Sequence, residues 1–271
     1  MLISTTAATA AATGHAARIA RIARPVPAQP VPAQPGVAMT RARKAGAPLR
    51  MPAMCKPKTP DANRARIVKA AINEFAARGF KGASMDGIAA RTHTTRAMIN
   101  YYFGNKEKLY LAVLEQVYSE IRHAESLLDL DSLPAVDAIR RIVEFSFHYY
   151  VEHEGFVQLV VAENQAKGRS FSKSKAMRSL NRPIIDTLAR VIARGQADGV
   201  FRDTVNPVDV HMSIAALGMF NVTNQYTFGT IFQHDMGAKG DVKRRCDVVA
   251  EMVLRYLAQP EEQAGKRRQK R

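Results

Sequence analysis

Cysteine occurs only twice in the chain, at Cys55 and Cys246. Two such distant thiols give no disulfide framework and no Cys-x-x-Cys pair. Long apolar runs are missing too. The run from Ile214 to Phe220 is broken by Asn221, and no segment is long enough to span a bilayer. His148, His153, His211 and His234 lack tight metal-ligand spacing. There is no phosphate-binding Gly loop, nucleophile elbow or His-Glu-x-x-His pattern. The Ser-x-x-Lys matches within residues 170–175 lack their companion motifs and read as a basic loop. The expectation is a cytoplasmic protein in a reducing compartment, with no membrane association, no cofactor, no metal and no enzymatic role. Asn221-Val-Thr lies in an apolar helix with no secretion route, so glycosylation is not expected.

Acidic residues are absent from residues 1–60, which carry nine Lys and Arg. Residues 61–108 carry nine basic and four acidic residues, and residues 261–271 five and two. Residues 109–260 nearly balance, with 17 basic and 18 acidic. The net charge of +16 is therefore segregated into the two ends and one 48-residue segment. That suits a basic nucleic-acid module joined to a neutral body, and equally a soluble protein with basic tails. Residues 1–60 are rich in Ala, Thr, Pro, Arg and Gln, with "VPAQP" repeated in 26–35. Such a stretch has little apolar surface to offset the entropy of ordering, so a disordered basic extension is expected. Its expected role is sequence-independent attraction to phosphate. Its Arg-bearing, acid-free composition also matches organellar transit peptides, and it lacks a secretory layout. Met1, Met39, Met51 and Met54 are all candidate starts.

Strand alternation is nearly absent after residue 60, and helical spacing takes over. Ile67, Val68, Ala71, Ile72 and Phe75 form one stripe, capped by Asp61 or Asn63 and ended at Gly79. Ser84 caps "MDGIAAR", Thr94 or Thr95 caps "RAMINYY", and Asn105 caps a long helix beginning at Lys106. On that helix Leu109, Val113, Val117, Ile121 and Leu128 mark the inner face. Further helices are expected at about 134–152, 155–167, 175–198, 207–232 and 241–258. Ser132 and Asn206 are the caps near Pro134 and Pro207, and Pro183 is expected to start or kink a helix. The fold class is all-α.

Residues 84–103 read as two short helices joined by a tight turn, after a longer amphipathic one. This is a three-helix DNA-binding layout. Met85, Ile88, Ala89, Ile99 and Phe103 can meet Phe75 and Phe80 in a small core. Outside it, Arg96 can hold phosphate or read guanine, and Asn100 can read adenine. Hydroxyls and amides at the helix start suit phosphate. The candidate contacts to double-stranded DNA are Ser84, Thr94, Thr95, Arg96, Ala97, Asn100, Tyr101, Tyr102 and Lys106.

The stretches "RIVKAAINEFAARGF", "SMDGIAA", "TTRAMINYYF" and "NKEKLYLAVLE" resemble the TetR family of bacterial transcriptional regulators over residues 61–120. The resemblance implies an N-terminal helix-turn-helix domain and a helical C-terminal domain for dimerisation and effector binding. It also implies a repressor released by a small molecule. Ala97 fits the family pattern. His93 stands where the turn usually has Gly, and Asn100 where a Tyr is often found; these departures affect the expected operator sequence.

The domain plan is then a disordered basic extension (1–60), a DNA-binding domain (61–108, helix-turn-helix about 84–103), a regulatory and dimerisation domain (109–259) and a basic tail (260–271). The apolar segment 208–232 and the helix at 241–258 are expected to form a four-helix seam in a homodimer. Ala215, Gly218, Met252 and Tyr256 are its candidate residues. Polar residues inside apolar helices are the candidates for a small-molecule effector pocket: His148, Asn164, Gln165, Asn221, Asn224 and Gln225. Each also fits an ordinary satisfied polar group. Two rival functions stay open. One is a helical enzyme or small-molecule carrier with an incidental helix-turn-helix; the other is a nucleoid-type DNA binder without sequence preference.

Overall fold

A computed structural model describes residues 59–260. Residues 1–58 of the basic extension, with its candidate starts, and all but Pro260 of the C-terminal tail lie outside the described residues, whereas Thr59 and Pro60 at the end of that extension already belong to the first helix and its cap. Within them the chain forms ten α-helices, in agreement with the all-α expectation. They are α1 (Pro60–Gly82), α2 (Met85–Arg91), α3 (Arg96–Phe103), α4 (Lys106–Ser126), α5 (Ala135–Glu152), α6 (Glu154–Gln165), α7 (Ala176–Ala197), α8 (Pro207–Thr223), α9 (Gln225–Phe232) and α10 (Lys239–Leu257). No helix among the described residues is long and apolar enough to cross a membrane.

Local chemistry sets most boundaries. The side chains of Ser84, Thr95, Asn105 and Asn206 accept the first free amides of α2, α3, α4 and α8. Thr59, rather than Asp61 or Asn63, caps α1, because Pro60 is already shaped for the first helical position. Ser132 does not cap α5; its hydroxyl donates to Asp129 instead. The expected helix at 207–232 is interrupted at Asn224, whose φ of −114° and ψ of 4° depart from the helix although its N–H still donates to Phe220 O at 3.1 Å. Pro183 neither starts nor ends a helix but lies within α7. It faces solvent, so water can reach the carbonyl that the missing amide leaves free.

Two apolar cores organise the packing. The first joins α1–α4 to α6 through Ile67, Phe75, Ile88, Ile99, Leu109 and Val157, all at most 1% exposed. Each such side chain contributes about 1.5–3 kcal/mol of transfer free energy. The second lies where α5 packs against α7, α8 and α10, around Ile139, Val143, Leu188, Ile214 and Val249. The first core runs on into the body: Phe156 and Tyr150 belong to the same cluster as Phe75. The residue 108 boundary falls inside α4, one unbroken helix that carries side chains for both ends of the molecule.

Candidate nucleic-acid interface

The turn between α2 and α3 is closed by backbone. Thr94 N–H donates to Ala89 O at 3.0 Å and His93 N–H to Ala90 O at 3.3 Å. This ending needs a left-handed residue one past the cap, and His93 supplies it with φ of 50°. Thr92 Oγ1 adds a 2.8 Å bond to Ile88 O.

Beneath the turn lies a residue that the sequence pattern does not single out. Glu74, 2% exposed, sits on the inner side of α1. Its Oε1 accepts from Ser84 N–H at 3.0 Å, and its carboxylate lies 3.4 Å from Arg78 Nε and 3.3 Å from Arg91 Nη1. One buried carboxylate thus ties α1 to both ends of α2. A Glu within an apolar stripe, with Arg at i+4, is the signal that could have found it.

This frame turns one side of α3 outward. Thr95, Arg96, Ala97, Asn100 and Tyr101 are exposed, Tyr101 by 80%, whereas Thr94 and Tyr102 are half-buried. Ile99 and Phe103 point into the core, as the spacing predicts. Arg96 Nη1 reaches Asp86 Oδ2 at 3.5 Å, both side chains being mostly exposed. Such a pair contributes little and yields readily to a phosphate. Thr95 Oγ1 accepts from Met98 N–H and Ser84 Oγ from Gly87 N–H. Both hydroxyls therefore hold helix starts. Lys106 donates to Lys81 O at 3.3 Å and stands over the Phe80 ring at 5.1 Å, which brings it back against α1 at the margin of this face.

Of the six effector-pocket candidates, Asn221, Asn224 and Gln225 lie within five residues about the α8–α9 junction, and the other three lie on α5 and α6. Asn164 and Gln165 are exposed at the end of α6, and Asn164 donates to Val160 O. Gln225 donates to Glu154 at 3.2 Å, Asn221 is aimed at Met236 O, and Asn224 donates to Thr223 Oγ1 at the α8–α9 break. His148 is half-buried beside Phe147. Short amides such as these reach their own backbone easily, which favours local partners.

The polar centre of the body lies elsewhere. Arg122 Nη1 and Glu125 Oε2 are 2.9 Å apart, and their side chains are 9% and 7% exposed. Arg122 Nε and Glu125 Oε1 have no hydrogen-bond partner. Burial pushes the Glu125 carboxyl up to about 7, against the pull of Arg122. The Tyr118 phenol is pushed up to about 12, and those of Tyr149 and Tyr150 higher, all mainly by burial. Burial, assisted by the Arg122 charge, holds His211 down at about 4. Tyr118, Arg122 and Glu125 share one face of α4 at spacings of four and three, directly beside the apolar stripe. Charged residues in that position read as solvated when taken from sequence alone.

Of the dimer candidates, Gly218 is corrected: it faces its own chain. A Cβ there would stand 2.8 Å from the Tyr150 ring of α5. Ala215 is half-buried, while Met252 and Tyr256 are 48% and 44% exposed. Val208, Met212 and Phe220 are likewise exposed on α8, which packs against the α10 that carries Met252 and Tyr256.

Comparison with known proteins agrees with this architecture. The family model described as "Bacterial regulatory proteins, tetR family" matches residues 67–113, and "Tetracyclin repressor-like, C-terminal domain" matches 136–253. The HTH-type transcriptional repressor NicS of Pseudomonas putida is 34% identical over 197 residues, covering 73% of this chain and 93% of that protein. The HTH-type transcriptional repressor SCO4008 of Streptomyces coelicolor is 30% identical, covering 60% and 80%. Among solved structures, the putative transcriptional regulator SCO4942 of Streptomyces coelicolor superposes with a TM-score of 0.54 at 25% identity, covering 73% of this chain and 99% of its own. The chain belongs to the TetR family of DNA-binding bacterial transcriptional regulators.

Proposed function

We propose that the protein is a cytoplasmic, homodimeric repressor released from a near-palindromic operator by a small-molecule effector. In this reading residues 61–108 bind DNA, residues 109–259 carry the dimer seam and the effector site, and the basic ends add non-specific attraction. The exposed side of α3, with Arg96, Asn100 and Tyr101 raised from a locked turn, carries the reading. Arg96 and Asn100 have the donor patterns that suit guanine and adenine edges, and Thr94, Tyr101, Tyr102 and Lys106 lie where phosphate and sugar would pass. The names of NicS and SCO4008 as repressors favour repression.

The apolar strip of Val208, Met212, Phe220, Met252 and Tyr256 suits a second copy of the chain. A two-fold axis there gives two recognition helices, spaced for half-sites roughly 34–36 Å apart. Control follows from α4. Arg122 lies 16 residues along that helix from Lys106, about 24 Å at the usual helical rise. An effector that binds the body better in one arrangement of α4 shifts the spacing of the two α3 helices, by no more than its difference in affinity.

The test is retardation of a genomic fragment that the wild type selects, against random DNA. Arg96→Ala and Asn100→Ala should each cost about 1–3 kcal/mol of discrimination and relax preference at the contacted base, with helix content unchanged. Variants that retard the fragment as well as wild type would refute the assignment of α3.

A further inference from the structure

The loop between α6 and α7, residues 166–175, carries Lys167, Arg169, Lys173 and Lys175 and no acid. All four side chains are exposed. Like charges this close repel one another and favour a loose chain, yet the loop is held in a defined shape. Glu163 on α6, 2% exposed, accepts the N–H groups of Ser170 and, at 3.1 Å, of Phe171. The Ser174 hydroxyl donates to Glu115 on α4 and accepts Met177 N–H at 3.2 Å. The Phe171 ring stands edge-on to Tyr118 of α4 at 5.3 Å. A buried carboxylate, a hydroxyl and a ring thus fasten a cationic loop of the body against α4.

The place where it is fastened gives it a use. Arg169 Nη2 lies 3.7 Å from Glu107 Oε1, and Lys173 Nζ 3.6 Å from Glu107 Oε2. Glu107 is in the first turn of α4, four residues beyond the end of α3 and between Lys106 and Lys108. Lys108 turns back over Gly104, the cap of α3: a Cβ on that glycine would stand 3.2 Å from Lys108 Cδ. Lys106, Lys108, Arg169 and Lys173 therefore gather at the margin of the α3 face, with one carboxylate among them. Glu107, Arg169 and Lys173 are each more than half exposed, so water screens these pairs and they exchange readily.

We infer that Arg169 and Lys173 of the body bind phosphates of the DNA duplex beside the half-site read by α3, the phosphates taking the place that Glu107 holds on the free protein. This rests on the α3 reading proposed above and adds a contact from outside the helix-turn-helix. The Arg169 fork and the Lys173 ammonium suit phosphate oxygens. Contacts of this kind add affinity and fix position without reading sequence. Glu107 opposes the duplex twice, by repelling its phosphates and by occupying the two cations that would hold them.

The experiment measures retardation of a duplex carrying the site that the wild type selects, over a range of salt concentrations, with a random duplex beside it. A dimer presents two such loops and so four of these phosphate contacts. Arg169→Gln combined with Lys173→Gln should make the slope of log K against log salt shallower by about 3–4. Binding should weaken at least tenfold at about 50 mM salt, with the preferred site unchanged. Ethylation of phosphates beside each half-site should interfere with the wild type and not with the double variant. Glu107→Gln should tighten binding at least twofold, because it releases both cations. If the loop only clasps α4, Glu107→Gln weakens binding or leaves it unchanged, and either result overturns the proposal. An unchanged salt slope or unchanged interference in the double variant overturns it as well. Both substituted side chains lie in solvent, so the fold should survive, and Glu107→Gln decides independently. A wild type with no preference over the random duplex marks failure of the regulator reading; a preference that stands while the slope does not move marks failure of the loop contact alone.

Discussion

The carboxylate of Glu74 accepts the backbone N–H of Ser84 at 3.0 Å from beneath the helix-turn-helix. Ser84 then accepts Gly87 N–H on its own hydroxyl, so a buried side chain on α1 fixes the start of α2. Removing it leaves a half-buried amide unpaired and frees Arg78 and Arg91. Glu74→Ala should cost about 2–4 kcal/mol in urea unfolding and weaken operator binding. A loss below about 0.5 kcal/mol, the range of an ordinary surface change, would mean the carboxylate is not the tie described.

Gly218 gives a second prediction. A methyl group added there would stand only 2.8 Å from Tyr150, so Gly218→Ala has to push the Tyr150 ring or α8. Overpacking of this kind costs about 1–3 kcal/mol, which thermal or urea unfolding measures. Small-residue spacing on an apolar helix reads from sequence as a place for a partner helix. Which helix arrives depends on tertiary packing, and here it is α5 of the same chain.

Glu125 makes stability depend on pH in a determined direction. Its carboxyl goes from an ordinary 4.5 to about 7 on folding. Between those values the folded protein holds a proton that the unfolded chain has released, so stability falls as pH rises through this window. His211, lowered to about 4, contributes the opposite slope up to its ordinary 6.5, and the wild-type profile mixes both. Comparison with Glu125→Gln isolates the carboxyl. The variant should gain on wild type by on the order of 3 kcal/mol between pH 4.5 and pH 8. A constant difference across that range would contradict the burial of this charge.

The exposed strip on α8 and α10 predicts assembly. Met212→Glu combined with Met252→Glu should convert a dimer to monomer in sedimentation velocity and weaken operator binding. Both residues already meet solvent in the single chain, so its fold should survive. A dimer that persists would move the seam to another face.

Helix starts are legible in the sequence because a cap is local: Ser84, Thr95, Asn105 and Asn206 each act within three residues. His93 is legible as a strained turn for the same reason. Pro183 misleads because its solvent-facing position, which makes it tolerable, is tertiary. Asn224 misleads because a change of backbone angles at one residue leaves the apolar spacing on either side intact. The Arg122–Glu125 pair is hidden because burial of a charge is decided by what packs over it. Tyr149, Tyr150 and Phe156 come from helices distant in sequence. The polar residues that stand out in the sequence instead are mostly short amides, which bond to nearby backbone and so explain themselves.

The most direct test of the central claim is selection of bound fragments from the sheared genome that encodes this chain, followed by footprinting. A shared site should emerge with two inverted half-sites about 10–10.5 base pairs apart, or a multiple of that spacing, protected on one side of the duplex. It should be bound at least a thousandfold more tightly than random DNA at physiological salt, the lower end for specific regulators. Fragments without a common site, bound no more tightly than random sequence, would contradict the account.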